Sequence, residues 1–310
     1  MKKPLLYMHL AVFLWGFTGV LGRAITLSAL TLVWWRVILT AAILAILLTV
    51  TRSWSGIRGK DAVRTAIVGG LMAIHWVAFY GSIKLANASV ALICLSTASV
   101  FVALLAPLAR QARFDKYEVG LGLLALAGVY FIYRTQLNFG LGILWGVVAA
   151  ILSAVFTVLN KPLATRYPPR SIVFWEMLAG AGILTAILIL APDLTGSTPF
   201  WPQQATYDSG RGLIAFLKAP NDWLWLLILS FFCTVLGQSL ALKALKHLSS
   251  FTTTLSVNLE PIYGMALAFV FYKEAAELTP GFYVGVGLIF LSVVLQMVRV
   301  LGRKPASVQP

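Results

Sequence analysis

The chain has 310 residues, of which 60% are Ala, Val, Ile, Leu, Met, Phe, Trp, Tyr or Cys and only 11% are charged, against about 25% charged in an ordinary soluble domain. Too few polar residues remain to solvate the surface of a soluble enzyme, and the apolar share excludes a disordered chain. The 24 Lys and Arg outnumber the 10 Asp and Glu, for a net charge of +14, which in such a composition points to nucleic acid or to a record of which side of a bilayer each loop occupies.

A helix needs about 20 apolar residues to cross the hydrocarbon, and ten runs qualify. The first is Leu5–Gly22. Lys2 and Lys3 before it imitate a signal peptide, but the run is long. The best cleavage-like site, Leu27-Ser28-Ala29, lies well beyond it, so a retained helix is expected. The second, Leu32–Val50, carries Arg36 about five residues inside its end. Snorkelling to the headgroups is the expectation for that side chain, with a gate or charge anchor as the functional alternative. The third, Ala66–Ile83, places His75 roughly 13 Å deep at 1.5 Å per residue. Phe79 follows one turn on, and Trp76 and Tyr80 form a neighbouring aromatic stripe. These four are a candidate substrate-lining set, with His75 a candidate proton carrier near neutral pH; the alternative is a structural contact between helices.

Runs four to seven are Ala88–Ala109, Tyr117–Tyr133, Leu137–Leu159 and Ile172–Ala191. The seventh carries Glu176, at an inset like that of Arg36 but on the opposite side of the membrane, so the two are expected not to pair and to act as gates or charge anchors at separate mouths. A polar connection of 31 residues follows, with Trp201 and Trp223 at its edges as expected interface anchors. Run eight, Trp223–Ala241, has Thr234 and Gln238 four apart on one face. Run nine, Phe251–Tyr272, has Glu260-Pro261 at mid-depth. Pro261 cannot bond the carbonyl of Val257, and exposed backbone there is tolerated only against protein, a cavity, an ion or a ligand. A hinge at Pro261 is expected, with Glu260 protonated or paired and Asn258, Tyr263 and Met265 as neighbouring cavity candidates. Run ten is Gly281–Val298, where Gly281-x-x-x-Gly285 permits close packing, within the chain or in a homodimer. Trp15, Trp35 and Trp175 are candidates to stack on a substrate, although a tryptophan in a span more often packs or faces lipid; Trp15 is the one carried into the substrate-binding set.

With the N-terminus taken as cytoplasmic, 17 of the Lys and Arg fall on that side and 7 on the other. This bias fits the positive-inside rule, puts both termini in the cytoplasm of a multi-pass cell-membrane protein, and removes the need for a nucleic-acid partner. Cys94 and Cys233 fall inside spans and supply neither a disulfide framework nor a metal spacing. No phosphate-binding loop, HExxH motif or nucleophile elbow is present. No cofactor is expected.

The two halves repeat. Phe17-Thr18 and Arg23 of the first run match Phe156-Thr157 and Lys161 of the sixth; Val33-Trp-Trp-Arg36 matches Val173-Phe-Trp-Glu176; His75 and Phe79 fall on Thr234 and Gln238; Lys84 matches Lys243; Leu95-Ser96 matches Leu255-Ser256; and Gly120-x-Gly122 matches Gly285-x-Gly287. An odd number of helices per copy makes the second copy inverted, and such pairs place a site near the midplane between the halves. The expected fold is therefore all-α, ten helices in two five-helix inverted repeats, residues 1–135 and 136–300, with 301–310 a cytoplasmic tail.

With Trp15-Gly16, Arg23, Leu259-Glu260-Pro261, Glu274, Gly285 and Gly287 on the page, the chain resembles the drug/metabolite transporter superfamily, in its ten-helix EamA type, over about residues 5–298. The first half departs from the pattern: Val100-Phe101 stands where the second has Glu260-Pro261, and no acid matches Glu274, which is read as serving the turn between runs nine and ten. The resemblance implies transport of small metabolites, mostly export, amino acids among them. The residues themselves suit a secondary carrier, by alternating access, of a neutral or zwitterionic solute, with a proton or other ion as candidate coupling partner. The rival reading is an intramembrane enzyme with His75 and Glu260 as acid and base.

Overall fold

The computed structural model describes residues 2–135, 137–191, 193, 200, 202 and 221–302. Trp201, one of the two expected interface anchors, lies outside them, as do Arg211, Lys218, Arg303 and Lys304. The fold is all-helical among the described residues. The first spans are α1 (Lys2–Ala24), α2 (Ala29–Val50) and α3 (Lys60–Leu85). Ser28 starts α2 with its hydroxyl accepting from Thr31 N–H at 3.2 Å, a side-chain cap for an otherwise orphaned amide. Next come α4 (Ala88–Leu95), α5 (Ala98–Leu108), α6 (Lys116–Thr135), α7 (Gly140–Arg166) and α8 (Pro169–Leu190). The eighth span is α9 (Asp222–Ile228), a wide π turn over Leu229–Leu236, and α10 (Gly237–Leu245). The last segments are α11 (Ser250–Val257), α12 (Glu260–Tyr272) and α13 (Pro280–Gly302).

Eight of these segments are long and apolar enough to cross a membrane unbroken, with 88–108 and 222–245 each counted as one. The ninth expected run is two shorter helices, α11 and α12, broken before Pro261. Proline occupies the first turn of α12, where its missing N–H would have been unbonded anyway. The fourth run is broken too, and it contains no proline at the break. Ser96 and Thr97 turn their hydroxyls back onto the carbonyls of Ile93 (2.6 Å) and Cys94 (2.7 Å), and the backbone there tightens to i→i+3 bonds from Thr97 to Cys94 and from Val100 to Thr97. Such back-bonding bends a helix. The two breaks fall at corresponding points of the two halves.

The neighbour relations carry the same correspondence. α3 packs along α7, and α1 packs along α10 and the π turn. α5 lies on α7, and α12 lies on α1. α6 meets α13, and α2 meets α8. Each pairing is either its own counterpart or the counterpart of another when the halves are exchanged.

Two close approaches depend on glycine. A Cβ on Gly69 of α3 would sit 2.2 Å from the backbone oxygen of Glu176 in α8. Gly128 of α6 and Gly285 of α13 face each other's carbonyls, at 2.7 and 2.6 Å from where a Cβ would stand, and Gly281 faces Thr135. The Gly281-x-x-x-Gly285 motif is thus used inside the chain, between α6 and α13. Gly287, two residues on, has open space. Gly285→Leu therefore overpacks this seam and lowers stability by about 1–3 kcal/mol or more, whereas Gly287→Ala leaves it unchanged. Thermal unfolding of the purified protein in detergent reads the difference, and equal melting of the two variants would refute the packing role.

Candidate functional site

α1, α2, α3, α4, α7, α10, α11 and α12 surround one narrow cavity. About 80 Å³ of it admits the centres of water-sized molecules, room for several waters when one needs about 10–15 Å³ by this measure. Of the side chains the sequence singles out, Trp15, Arg36, His75, Trp76, Phe79, Gln238 and Glu260 line it. The repeat-based pairing of the His75–Phe79 face with the Gln238 face thus does bring two helices onto one space.

Arg36 does not snorkel. It is 2% exposed, with its guanidinium turned inward over the Trp76 ring at 3.8 Å from the centroid. Nε donates to the Thr234 hydroxyl (2.8 Å) and Nη1 to the Tyr80 hydroxyl (2.9 Å). Among the described residues no carboxylate lies within ion-pair distance and Nη2 has no hydrogen-bond partner. The cation is held by neutral dipoles and an aromatic face, leaving N–H groups for something in the cavity. Thr234 is committed twice, since its hydroxyl also donates to the Leu229 carbonyl (3.0 Å) across the π turn. Tyr80 and Thr234 therefore act on the cavity through Arg36 and are not among its lining residues.

Glu260, 4% exposed, faces the same cavity from the start of α12. It accepts one long hydrogen bond, from the Thr18 hydroxyl at 3.4 Å, and Thr18 is closer to the Trp15 carbonyl at 2.6 Å. His75 has its Nδ1 at 2.7 Å from the Ala149 carbonyl, which makes Nδ1 the donor and leaves Nε2 without a protein partner. Its ring stacks on Phe79 and meets Phe156 edge-on. No hydrogen bond joins His75 to Glu260. Trp15 spends its indole N–H on the Cys233 carbonyl in the π turn (2.9 Å), so it offers the cavity a ring face only.

Further expectations do not hold in this geometry, and Met265 packs against a separate core cluster instead of the cavity. Tyr263 packs on Phe13, with ring centroids 5.6 Å apart, and against Gly16, away from the cavity. Asn258 is buried beside Ser99, at a marginal 3.5 Å, and does not line the cavity either. Glu176 is fully buried instead of standing at a mouth. Conversely, Thr18, Ser153, Thr157, Asn160, Thr253 and Thr254 line the cavity and are absent from the sequence-derived set. Thr18 and Thr157 are repeat partners, so the repeat itself held that signal.

The cavity lies toward the end of the bundle that holds the N-terminus, where Met8, Leu245 and Thr253 line it. The opposite end is tied shut. Arg23 pairs with Glu274 at 2.5 Å, and its guanidinium also covers the Tyr272 ring. The Glu274 carboxylate accepts from the N–H groups of Ala88 and Ser89 and from the Ser89 hydroxyl, at the start of α4. Glu274 thus joins three spans and does more than serve its own turn. Lys84 donates to the Ile25 carbonyl, and Asp222 accepts from the N–H and hydroxyl of Thr26.

The EamA-like transporter family model matches residues 2–134 and again 140–298. An uncharacterized transporter of Bacillus subtilis (strain 168), YxxF, is 23% identical over 259 residues, 82% of this chain and 74% of that protein. A second uncharacterized transporter, sll1164 of Synechocystis sp. (strain ATCC 27184 / PCC 6803 / Kazusa), is 26% identical over 161 residues, 52% of this chain and 41% of that protein. A solved crystal structure, described simply as that of a protein, aligns with a TM-score of 0.66 at 18% identity over 98% of this chain and 100% of that one, which speaks for the fold alone.

The guanidinium network gives a direct stability test. Tyr80→Phe leaves a buried charged N–H unpaired, at a cost of about 1–3 kcal/mol. Thr234→Val does the same from the other side, and the pair is non-additive because both act on one group. Unfolding measurements on the single and double variants check this; additive or negligible effects would contradict the geometry.

Proposed function

This chain belongs to the EamA-like transporter family, and from that premise we propose that it is a secondary carrier of a small zwitterionic solute of amino-acid type, working by alternating access. It is a multi-pass membrane protein of a family of transporters. The finer reading rests on one observation: Arg36 and Glu260, opposite in charge and neither held in an ion pair among the described residues, line the same narrow cavity. A cation without a counter-ion in such a place costs several kcal/mol unless an anion joins it. A solute carboxylate on the free N–H groups of Arg36 and a solute ammonium on Glu260 neutralise both at once. Trp15, Trp76, Phe79 and Phe156 supply ring faces that suit an apolar side chain or the ammonium itself. A phosphorylated solute would bring more negative charge than one guanidinium offsets.

The five-helix halves 1–135 and 136–300 are the moving units in this proposal, in ten crossings of the cell membrane with both termini in the cytoplasm. The present cavity then opens toward the cytoplasm, and export is the direction of loading. Carrier action, with no enzymatic step, is favoured over acid–base chemistry because no hydrogen bond joins His75 to Glu260 and the family is one of transporters.

Purified protein in liposomes is expected to equilibrate a radiolabelled mixture of neutral amino acids. Arg36→Gln and Glu260→Gln are each expected to abolish this uptake, by about 100-fold when a charged hydrogen bond worth about 3 kcal/mol is lost. Normal folding of each variant is checked by its elution and melting. Full uptake by both variants, or none by the wild type against a wide metabolite panel, would sink the proposal.

A further inference from the structure

Glu176 is the most isolated charge-bearing group in the described protein. Its side chain is fully buried in α8, and neither carboxyl oxygen has a hydrogen-bond partner among the described residues. The Asn160 amide faces the carboxyl without closing a hydrogen bond. Asn160 lines the cavity, and Glu176 does not. The elements packed on α8 are α3, α2, α10 and, at one end, α7. Their titratable groups are engaged elsewhere. On α3, Asp61 is bound by Arg166 and Tyr167 with Arg64 beside it, His75 is on the Ala149 carbonyl, Tyr80 is on Arg36 and Lys84 is on the Ile25 carbonyl. Lys60 at the start of α3 is exposed. On α2, Arg36 is on Thr234 and Tyr80. On α7, Arg166 is on Asp61, and Lys161 is on the carbonyls of Leu245 and Leu248. On α10, Lys243 lies over the Tyr7 ring. None of them reaches Glu176. A bare carboxylate in this dry place is strongly disfavoured, and a proton removes the charge.

The repeat says where this side chain goes when the halves exchange roles. Glu176 corresponds to Arg36, and Thr234 corresponds to His75. The Lys84–Lys243 register pairs Tyr80 with Ser239. Arg36 now bonds Thr234 and Tyr80 at the wall of the cavity. In the exchanged conformation Glu176 takes the equivalent place, beside His75 and Ser239. The Ser239 hydroxyl is buried and without a partner here, and Nε2 of His75 is free among the described residues.

We propose that Glu176 is the proton-coupling site of this carrier: its carboxyl is sealed away in the conformation seen here and enters the cavity beside His75 and Ser239 in the exchanged one. A carboxyl that is dry in one conformation and wet in the other binds protons with different affinity in the two. That difference is what allows a proton gradient to drive the exchange. The proton binds at a carboxyl oxygen in one conformation and leaves to cavity water in the other, with Asn160 between Glu176 and the cavity. This rests on the carrier reading above but on none of its substrate contacts.

The test uses proteoliposomes, a radiolabelled neutral amino acid mixture as the probe, and a pH dye in the lumen. Exchange of labelled for unlabelled probe at equal pH reads carriage; accumulation driven by an imposed pH difference reads coupling. The wild type is expected to do both and to move protons with solute. Glu176→Gln, permanently neutral, is expected to keep exchange and lose pH-driven accumulation. Wild-type exchange that ignores the pH difference, or responds only to a sodium gradient, overturns this inference and leaves the carrier reading standing. So does pH-driven accumulation that survives in Glu176→Gln. Absence of exchange in the wild type overturns both. If Glu176→Gln does not fold, Glu176→Asp replaces it: its shorter carboxyl is expected to keep exchange and shift the pH dependence of driven accumulation, and a pH dependence identical to the wild type overturns the inference.

Discussion

A buried guanidinium held by neutral partners is the interaction on which this structure turns. Arg36 sits among helices that are apolar almost all round, where a charge is tolerated only if the protein supplies its solvation. It obtains that from one threonine hydroxyl, one tyrosine hydroxyl and one indole face. Those partners come from α3 and the π turn, and each has its own constraint. The π turn frees the Cys233 carbonyl for the Trp15 indole and the Leu229 carbonyl for Thr234, so the wide turn, α1 and α2 are fixed relative to one another through a single charge. π turns inside α-helices recur at functional positions, and this one lies behind the cation that faces the cavity.

A lysine ties two spans at each end of the bundle, although the two lysines are not repeat partners. Lys84 at the end of the third span bonds the Ile25 carbonyl at the end of the first. Lys161 at the end of the sixth bonds the Leu245 and Leu248 carbonyls at the end of the eighth. Each lysine satisfies carbonyls that a helix terminus leaves open and ties the ends of two long spans together. Between these ends the helices change direction at corresponding places, by Ser96 and Thr97 in one half and ahead of Pro261 in the other. Two different local chemistries produce one geometry.

What could be read from sequence follows from what each residue's environment depends on. The spans were legible because hydrocarbon thickness sets the length of an apolar run whatever it packs against. The cavity face of α3 was legible because His75 and Phe79 are polar or aromatic landmarks one turn apart, with a matching pair in the other half. The side on which Arg36 points was not. A helix apolar all round carries no pattern that fixes its rotation, so the same residue reads equally as a snorkelling surface group. The same ambiguity hid the packing of Tyr263 on Phe13. The break at Ser96 was invisible because serine and threonine bend a helix only when they choose to bond back to it, whereas proline has no choice. Asn160, in contrast, stood in a span beside Lys161 and could have been weighed as a polar group inside the bilayer.

Under the alternating-access proposal, the positions at which the two halves differ bear on which conformation the chain rests in. If the two halves were identical, the inward and outward arrangements would be equal in energy. Here the end away from the N-terminus closes on an ion pair, Arg23 with Glu274, which also caps the start of α4. The first half has no acid in the position of Glu274. Lys161, the counterpart of Arg23, has only backbone carbonyls at the other end. In that proposal, closing that end would exchange an ionic link, buried on the acid's side, for weaker contacts, which favours the arrangement seen here. A ligand can move such an equilibrium only by its difference in affinity for the two states. In the proposed binding mode a solute joining Arg36 and Glu260 would act through groups drawn from both halves, and so would be placed to supply that difference.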